Sequence, residues 1–407
     1  MVKISPFSAL RPAGDKVHLV VTRPVDSYSK EEIQEKLINN PFSFLQVLNP
    51  EGKTASLNLA KISEKFKKFR IQNILIREEA PCLYLYRQKK DSHIFTGIIG
   101  CASVQDYLEG RILKHEATIT VREEKLTDYL DVCSFNVEPV SLFFPDDEFL
   151  WNLFEKITSG VPVYDFSTSD KIHHQLWKIG PSHEQESIIE RFDLMDAVYI
   201  ADGHHRSASS ALLGERRKNK NKNHKGNEPY NFFMCIFFPE STLKVYEFNR
   251  LITDLGIYTK LTFIEELRKE FIVISYGLKP YRPAGQYHFG LYIDGEWFEL
   301  ILKPEYHSSE NPEQGLDASV LSERILDPLI GIKDLRTDKR VIFSNGQEGI
   351  QKLMDAVDSG KAKAAFFLHP ATMEQVKIFA DQNLIMPPKS TYVEPKLRSA
   401  LTIHLLD

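Results

Sequence analysis

The sequence predicts an α+β protein, and three observations carry that expectation. Residues 198–201, Val-Tyr-Ile-Ala, are apolar and β-favouring; they stop at Asp202-Gly203 and give way to a small-residue run at helical spacing. That pattern reads as a buried strand, a tight turn at Gly203 and a helix starting near His204. Around it, residues 83–87, 94–101, 140–144 and 231–238 read as further strands, separated by helical patterns at 123–132 and 184–192. Beyond residue 250 the pattern restarts. Two apolar runs, 287–293 and 297–302, flank Asp294-Gly295, a strong hairpin signal. Strand and helix then alternate to residue 381, as in a separate α+β unit. The chain therefore divides into an N-terminal α/β extension (1–81), a central core (82–250) and a C-terminal α+β domain (251–407).

The remaining elements follow in order. The extension holds a strand at 17–22 among Pro6, Pro12 and Pro24, then helices at 30–38 and 60–69, broken by Asn40-Pro41. A short helical turn at 104–108 ends at Gly110, and residues 111–121 carry the adjacent pair His115-Glu116. An acidic and aromatic helix covers 146–157, and His173-His174 reads as surface. The run Arg216 to Asn227 is too polar to pack and reads as a mobile, solvated loop. In the last unit, helices are expected at 318–326, 348–357 and 373–381, with a final strand at 400–405.

Composition narrows the function classes. A chain of 407 residues with 42% hydrophobic and 26% charged side chains is an ordinary globular protein. Its net charge of -5 argues against a general nucleic-acid binder. Cys82, Cys101, Cys133 and Cys235 are scattered without metal-ligand or redox spacing, so buried free thiols in a reducing compartment are expected. The sequence shows no signal peptide and no apolar run long enough for a membrane span, so a cytoplasmic location with no membrane partner is the expectation.

The densest chemistry lies at Asp202-Gly203-His204-His205-Arg206. Backbone N–H groups in the first turn of a helix have no intrahelical partner, and the helix dipole adds partial positive charge there. Two histidines and an arginine on that turn favour phosphate, with Asp202 placed to hold a metal or accept a proton. The competing reading makes Asp202 a plain N-cap. Adjacent histidines on a helix point about 100° apart and lack the i, i+4 spacing of a zinc pair. Glu116 could serve as a general base if burial raises its pKa, and phosphoryl transfer to a hydroxyl needs one carboxylate as base and another near the metal. Lys389-Ser390-Thr391 offers a cation and two hydroxyls after Pro388, suited to phosphate contact or to a structural turn. The sequence contains no G-x-x-x-x-G-K-[ST] loop, no G-x-G-x-x-G opening a helix and no G-x-S-x-G elbow.

Several segments also match one family in the same order: P-F-S-A-L-R-P at Pro6, Gly97-Ile98-Ile99-Gly100 with Asp106-Tyr107, K-H-E-A-T at Lys114, I-A-D-G-H-H-R at Ile200, L-D-A-S-V-L at Leu316 and M-P-P-K-S-T-Y-V-E-P-K-L at Met386. Over nearly its whole length the chain resembles the uncharacterised bacterial family known as domain of unknown function 1015. That family is similar, over its central region, to the free serine kinases of the ParB/sulfiredoxin-like superfamily. The resemblance implies a ParB/sulfiredoxin-like core and a Mg2+-dependent phosphotransferase working between ATP or ADP and L-serine or a serine-like hydroxyl. The reverse direction, phosphoserine to ADP in the service of serine biosynthesis, is equally open, as is a homodimer. Carried over, Glu116 would be the base and Asp202 the metal-side carboxylate, acting through water or phosphate. Gly203, His204, His205 and Arg206 would bind phosphate, while His115, Lys389, Ser390, Thr391 and Arg250 would contact substrate or phosphate. Other superfamily members bind nucleotide as a switch, so a regulatory module without an acceptor is the alternative. The sulfiredoxin chemistry needs a cysteine in the motif, and none is there. The chain departs from the family at Arg23-Pro24-Val25-Asp26, where P-P-Y-D is common, and at Asn249-Arg250, where a His-Arg pair is common. Glu116 and Asp202 also lie further apart in sequence than in the compact serine kinases.

Overall fold

A computed structural model describes residues 1–49, 55–308 and 311–407. The chain forms two compact units, the first from residues 1–114, 118–243 and 395–407, the second from 115–117 and 244–394. Both mix helices and sheets, as the apolar patterning requires. No helix of the described residues is long and apolar enough to cross a membrane.

The first unit is built on a nine-stranded mixed sheet. In chain order its strands are β1 (Ile4–Ser5), β2 (Leu83–Lys90), β3 (His93–Ser103), β4 (Ile112–Leu113), β5 (Val140–Phe144), β6 (Tyr164–Ser167), β7 (His173–Ile179), β8 (Val198–Asp202) and β9 (Phe232–Pro239). Their spatial order is β4-β8-β5-β9-β3-β2-β7-β6, with β1 paired to β3. The pairs β4–β8 and β5–β9 are parallel and the others antiparallel. All five residues of β5 are buried, and Leu142, Phe144, Ile200 and Phe237 join Ile188 and Phe192 in one core. Each such side chain contributes roughly 1.5–3 kcal/mol by leaving water. The Gly97 to Gly100 segment lies on β3, and its first glycine is there for close approach. A Cβ on Gly97 would sit 2.6 Å from the Phe238 ring and 2.8 Å from the Phe237 carbonyl oxygen. A second cluster gathers Phe44, Phe66, Phe69 and Phe135 with Ile403 from the end of the chain.

In the first unit, some segments differ from the sequence expectation for a visible reason. The sequence pattern suggests a strand at 17–22, but Val17–Val20 is a helical turn. Val17 and Val20, three apart, are both buried while His18 is exposed, so packing overrides the β preference of valine. The basic run from Arg216 continues the helix through Lys220 instead of forming a loop from its start. Its arginines are held by the helix α1 (Thr120–Cys133) beside it: Arg216 bonds Glu124 and Asp128, and Arg217 bonds Asp131 at 3.0 Å and the Leu406 carbonyl at 2.9 Å. His173 and His174 are not alike, because successive side chains of a strand face opposite ways. His174 is buried, with Nδ1 2.7 Å from the Tyr86 hydroxyl and Nε2 3.2 Å from the Thr168 hydroxyl.

The second unit holds a six-stranded, fully antiparallel sheet. Its strands are β10 (Phe248–Ile252), β11 (Phe271–Gly277), β12 (His288–Ile293), β13 (Glu296–Leu302), β14 (Val341–Asn345) and β15 (Ala364–Phe367), in the order β11-β13-β12-β15-β10-β14. The expected hairpin joins β12 to β13, with Asp294 and Gly295 both at positive φ (46° and 79°), as a two-residue turn of matching twist requires. Residues 318–326 do not form the one regular helix that their pattern suggests. Instead a helical segment Asp317–Leu321 passes into a wider turn, Ser322–Leu326, and then Asp327–Ile330. Pro328 lacks an N–H group, which removes a regular i→i-4 bond from that stretch. Arg250 is fully buried on β10; its guanidinium donates to the carbonyls of Phe248 (2.5 Å) and Lys389 (3.0 Å) and lies over the Phe343 ring. Burial lowers its pKa to about 9.

The buried histidines set a pH dependence for the first unit. Burial lowers the pKa of His174 to about 3 and that of His404 to about 4. An unfolded chain takes up protons at these positions near pH 6.5 while the folded unit does not, so stability is full above pH 6.5 and falls as the pH drops toward 4. Denaturant titrations from about pH 7.5 to about pH 4.5 should show a loss of up to ~1.4 kcal/mol per pH unit for each histidine. His174→Gln should flatten the slope; an unchanged slope would mean that His174 is not held neutral.

Candidate functional site

The anion motif begins where β8 ends. Val198, Tyr199, Ile200 and Ala201 are buried between β4 and β5, and Asp202 emerges half-exposed. A register shift beside Ser141 of β5 accompanies that exit. Gly203 follows at φ 102°, ψ 28°, the left-handed conformation that glycine adopts without strain, and the 17-residue helix α2 (His204–Lys220) starts directly after it. The first helical bond runs from the Ser207 N–H to the Gly203 carbonyl at 3.0 Å.

Side chains complete the site. Arg206 folds back over the turn, donating to Asp202 Oδ2 at 3.1 Å and to the Pro139 carbonyl at 2.5 Å. A Cβ at residue 203 would lie 3.0 Å from Arg206 Nε, so a larger residue there would press on the Arg206 side chain as well as strain the backbone angle. Lys396 Nζ lies 3.8 Å from Asp202 Oδ2. These half-exposed pairs add little stability. Their effect is to hold two cations and one carboxylate at a helix start, which leaves the group attractive to an anion of more than one charge. His204 is buried and His205 half-buried in the same turn.

The donor set suits phosphate directly and Mg2+ indirectly. Among the described residues no group of three or more metal-ligating side chains occurs. Mg2+ is commonly held by one or two carboxylates together with ligand phosphates and water, and Asp202 could supply one such carboxylate.

The other expected site residues belong to the second unit. His115 is buried, and its carbonyl accepts the Met386 N–H at 2.8 Å, which fastens the His115–Ala117 segment to the start of the 386–391 loop. Glu116 is half-buried beside it. In that loop Lys389 is exposed at φ 58° with its Nζ 5.3 Å from the Phe248 ring centre; the buried Ser390 hydroxyl donates to the Pro387 carbonyl at 2.7 Å, and Thr391 is half-buried. The Arg250 guanidinium reaches the same loop at the Lys389 carbonyl. The structure thus groups Asp202 through Arg206 with Lys396 in one unit, and His115, Glu116, Arg250 and Lys389 through Thr391 in the other.

Sequence reasoning missed an adjoining feature of the first unit. A pocket of about 260 Å³ runs along α2, bordered by Arg206, Tyr129, Asn136, Glu138, Phe233 and Met234. The Tyr129 hydroxyl is buried with no hydrogen-bond partner among the described residues. Arg206 therefore borders both the turn at Gly203 and a largely apolar pocket. Nothing in Asn136-Val137-Glu138-Pro139 marks that segment as a pocket wall. Lys396 had a signal, since it falls within the terminal proline-rich motif.

A family model described as "Protein of unknown function (DUF1015)" matches residues 4–319. The chain belongs to that family. No curated protein matches this DUF1015 chain. Among solved structures, it is similar to a free serine kinase in complex with AMP, at 14% identity and a TM-score of 0.37, over 75% of this chain and 92% of that one. It is similar at TM-score 0.39 and 9% identity to SbnI with a C-terminal truncation from Staphylococcus aureus, over 74% and 87% of the two chains. A conserved hypothetical protein from Pyrococcus furiosus gives a TM-score of 0.35 at 14% identity, over 75% and 95%.

Replacing Gly203 tests the turn. Gly203→Ala should lower the unfolding free energy of this DUF1015 protein by ~1–3 kcal/mol, from the strained φ and the displaced Arg206. Denaturant unfolding measures it, and a loss below ~0.5 kcal/mol would show that the turn does not need glycine.

Proposed function

We propose that the protein is a phosphotransferase that moves phosphate between a nucleotide and L-serine or a serine-like hydroxyl. The observation that carries the reading is the turn at Gly203. There a positive-φ glycine, a carboxylate and two cations meet at the start of a long helix, and Arg206 also borders a pocket able to take the flat, apolar body of a base. Nucleotide phosphates would lie on the first turn of α2, with Gly203, His204, His205 and Arg206 as their contacts. Mg2+, held by Asp202 together with those phosphates, would supply neutralisation of charge on the transferring group. Glu116 would take the proton of the acceptor hydroxyl, with His115, Lys389, Ser390, Thr391 and Arg250 supporting the acceptor's binding. The reading includes a ParB/sulfiredoxin-like core within residues 82–250, and it leaves the direction of transfer open, from ATP to serine or from phosphoserine to ADP.

A nucleotide-binding regulatory module without an acceptor is the second reading. One observation favours it: Asp202, Gly203, Arg206, Lys396 and the 260 Å³ pocket all lie in the first unit, so nucleotide binding need not involve Glu116.

Phosphorus NMR of the full chain with Mg2+, once with ATP and serine and once with ADP and phosphoserine, tests the transfer. Exchange above background in either mixture is expected. Glu116→Gln should reduce turnover by about 100- to 10,000-fold while leaving ADP binding by calorimetry intact. Arg206→Ala should weaken ADP binding by roughly 10-fold or more. Unchanged turnover in Glu116→Gln would remove Glu116 from the chemistry, and binding without exchange in either mixture would leave the regulatory reading.

A further inference from the structure

The second unit contains a small pocket of its own, of about 80 Å³. Its walls are mainly apolar, with Phe248, Leu316, Leu368, Pro370 and Ala371 among them, and Asp317 lines it too. Asp317 is only 6% exposed. Its Oδ1 accepts the Tyr287 N–H at 2.8 Å, and the His369 backbone N–H also faces the carboxyl group. Oδ2 is buried and has no hydrogen-bond partner among the described residues. A carboxyl oxygen left in this state inside a cavity is costly, because its lost hydration is not replaced. The neighbouring polar side chains do not replace it either. Gln286 Nε2 donates to the Gly315 carbonyl, Gln375 Oε1 accepts the Thr372 N–H at 3.0 Å, and Ser390 donates to the Pro387 carbonyl.

We propose that this pocket is a binding site for a compact primary ammonium, its nitrogen donating to Asp317 Oδ2 and its short carbon stem packed against Leu316, Leu368 and Pro370. The volume admits only a few heavy atoms. Among the described residues no lysine or arginine lines the pocket, so an amino acid, whose carboxylate would need a cation, is disfavoured against a simple amine. The site does not depend on the phosphotransferase reading, since none of its recognition uses the Asp202 turn.

Burial raises the Asp317 pKa from 3.8 to about 7. Among the described residues, the only other titratable side chain lining the pocket is His369. An ammonium ligand needs the ionised carboxylate, so its apparent affinity rises as the pH passes through about 7 and falls below it.

Calorimetry of the full chain with n-propylammonium chloride tests this site. We expect saturable binding at one site at about pH 8, about tenfold weaker at about pH 6. Asp317→Asn keeps an acceptor for the Tyr287 N–H and should weaken binding roughly 10- to 100-fold. Should that variant fail to fold, Ala371→Leu, which fills the pocket and keeps the carboxyl, should abolish binding. Propan-1-ol, tetramethylammonium and L-serine should each bind far more weakly than propylammonium. Absence of binding at the higher pH, equal binding by Asp317→Asn, or equal affinity for propan-1-ol would overturn the proposal. Equal affinity for L-serine would overturn the choice of a simple amine. Because the readout is amine binding, loss of phosphate exchange in Glu116→Gln leaves it unaffected.

Discussion

The first unit depends on one backbone angle. At Gly203 the chain leaves a buried strand held between β4 and β5 and starts a 17-residue helix without an intervening loop, and the left-handed backbone angle of that reversal is one that glycine adopts without strain. The consequence reaches outward in both directions. Asp202 pairs with Ser141 after the register shift between Ile200 and Asp202, and Arg206 is brought back over the turn to reach Asp202 and Pro139. The helix that follows packs on α1 and carries Arg216 and Arg217 to its acidic residues. A polar site is thereby anchored to the end of a buried strand paired on both sides.

How much of this is legible in the sequence depends on whether the cause is local. The strand at 198–202, the turn and the helix start are readable because apolar run, Asp-Gly and small-residue periodicity sit side by side. The Asp294-Gly295 hairpin is readable for the same reason. Residues 17–20 mislead because two valines three apart suit a buried strand and a buried helical turn equally, and only packing decides between them. The run from Arg216 looks unpackable because its partners, Glu124, Asp128 and Asp131, lie far earlier in the chain. His174 gives no sign of burial, since Tyr86 and Thr168 come to it from outside its own strand.

The candidate site shows the same division. The Asp202 to Arg206 motif is visible as five consecutive residues. The pocket beside it is not, because Tyr129, Asn136, Glu138 and Phe233 come from separate stretches of chain and none is unusual where it stands. Asp317 is a clearer case still. In sequence it is an acid ahead of a helical segment, where carboxylates are common. Its burial, its bare oxygen and the cavity in front of it are properties of the fold alone.

The return of residues 395–407 to the first unit has a consequence for how the protein is made. His404–Leu405 pairs with Phe135–Asn136, Leu10 exchanges backbone bonds with Ile403, and the Leu406 carbonyl takes a bond from Arg217. On a ribosome, about 150 residues of the second unit must be synthesised between one half of these contacts and the other. The unit begun first is therefore completed only after the second has been synthesised, and until residues 395–407 emerge its Phe135 and Leu10 edges stand open to whatever else can pair with them.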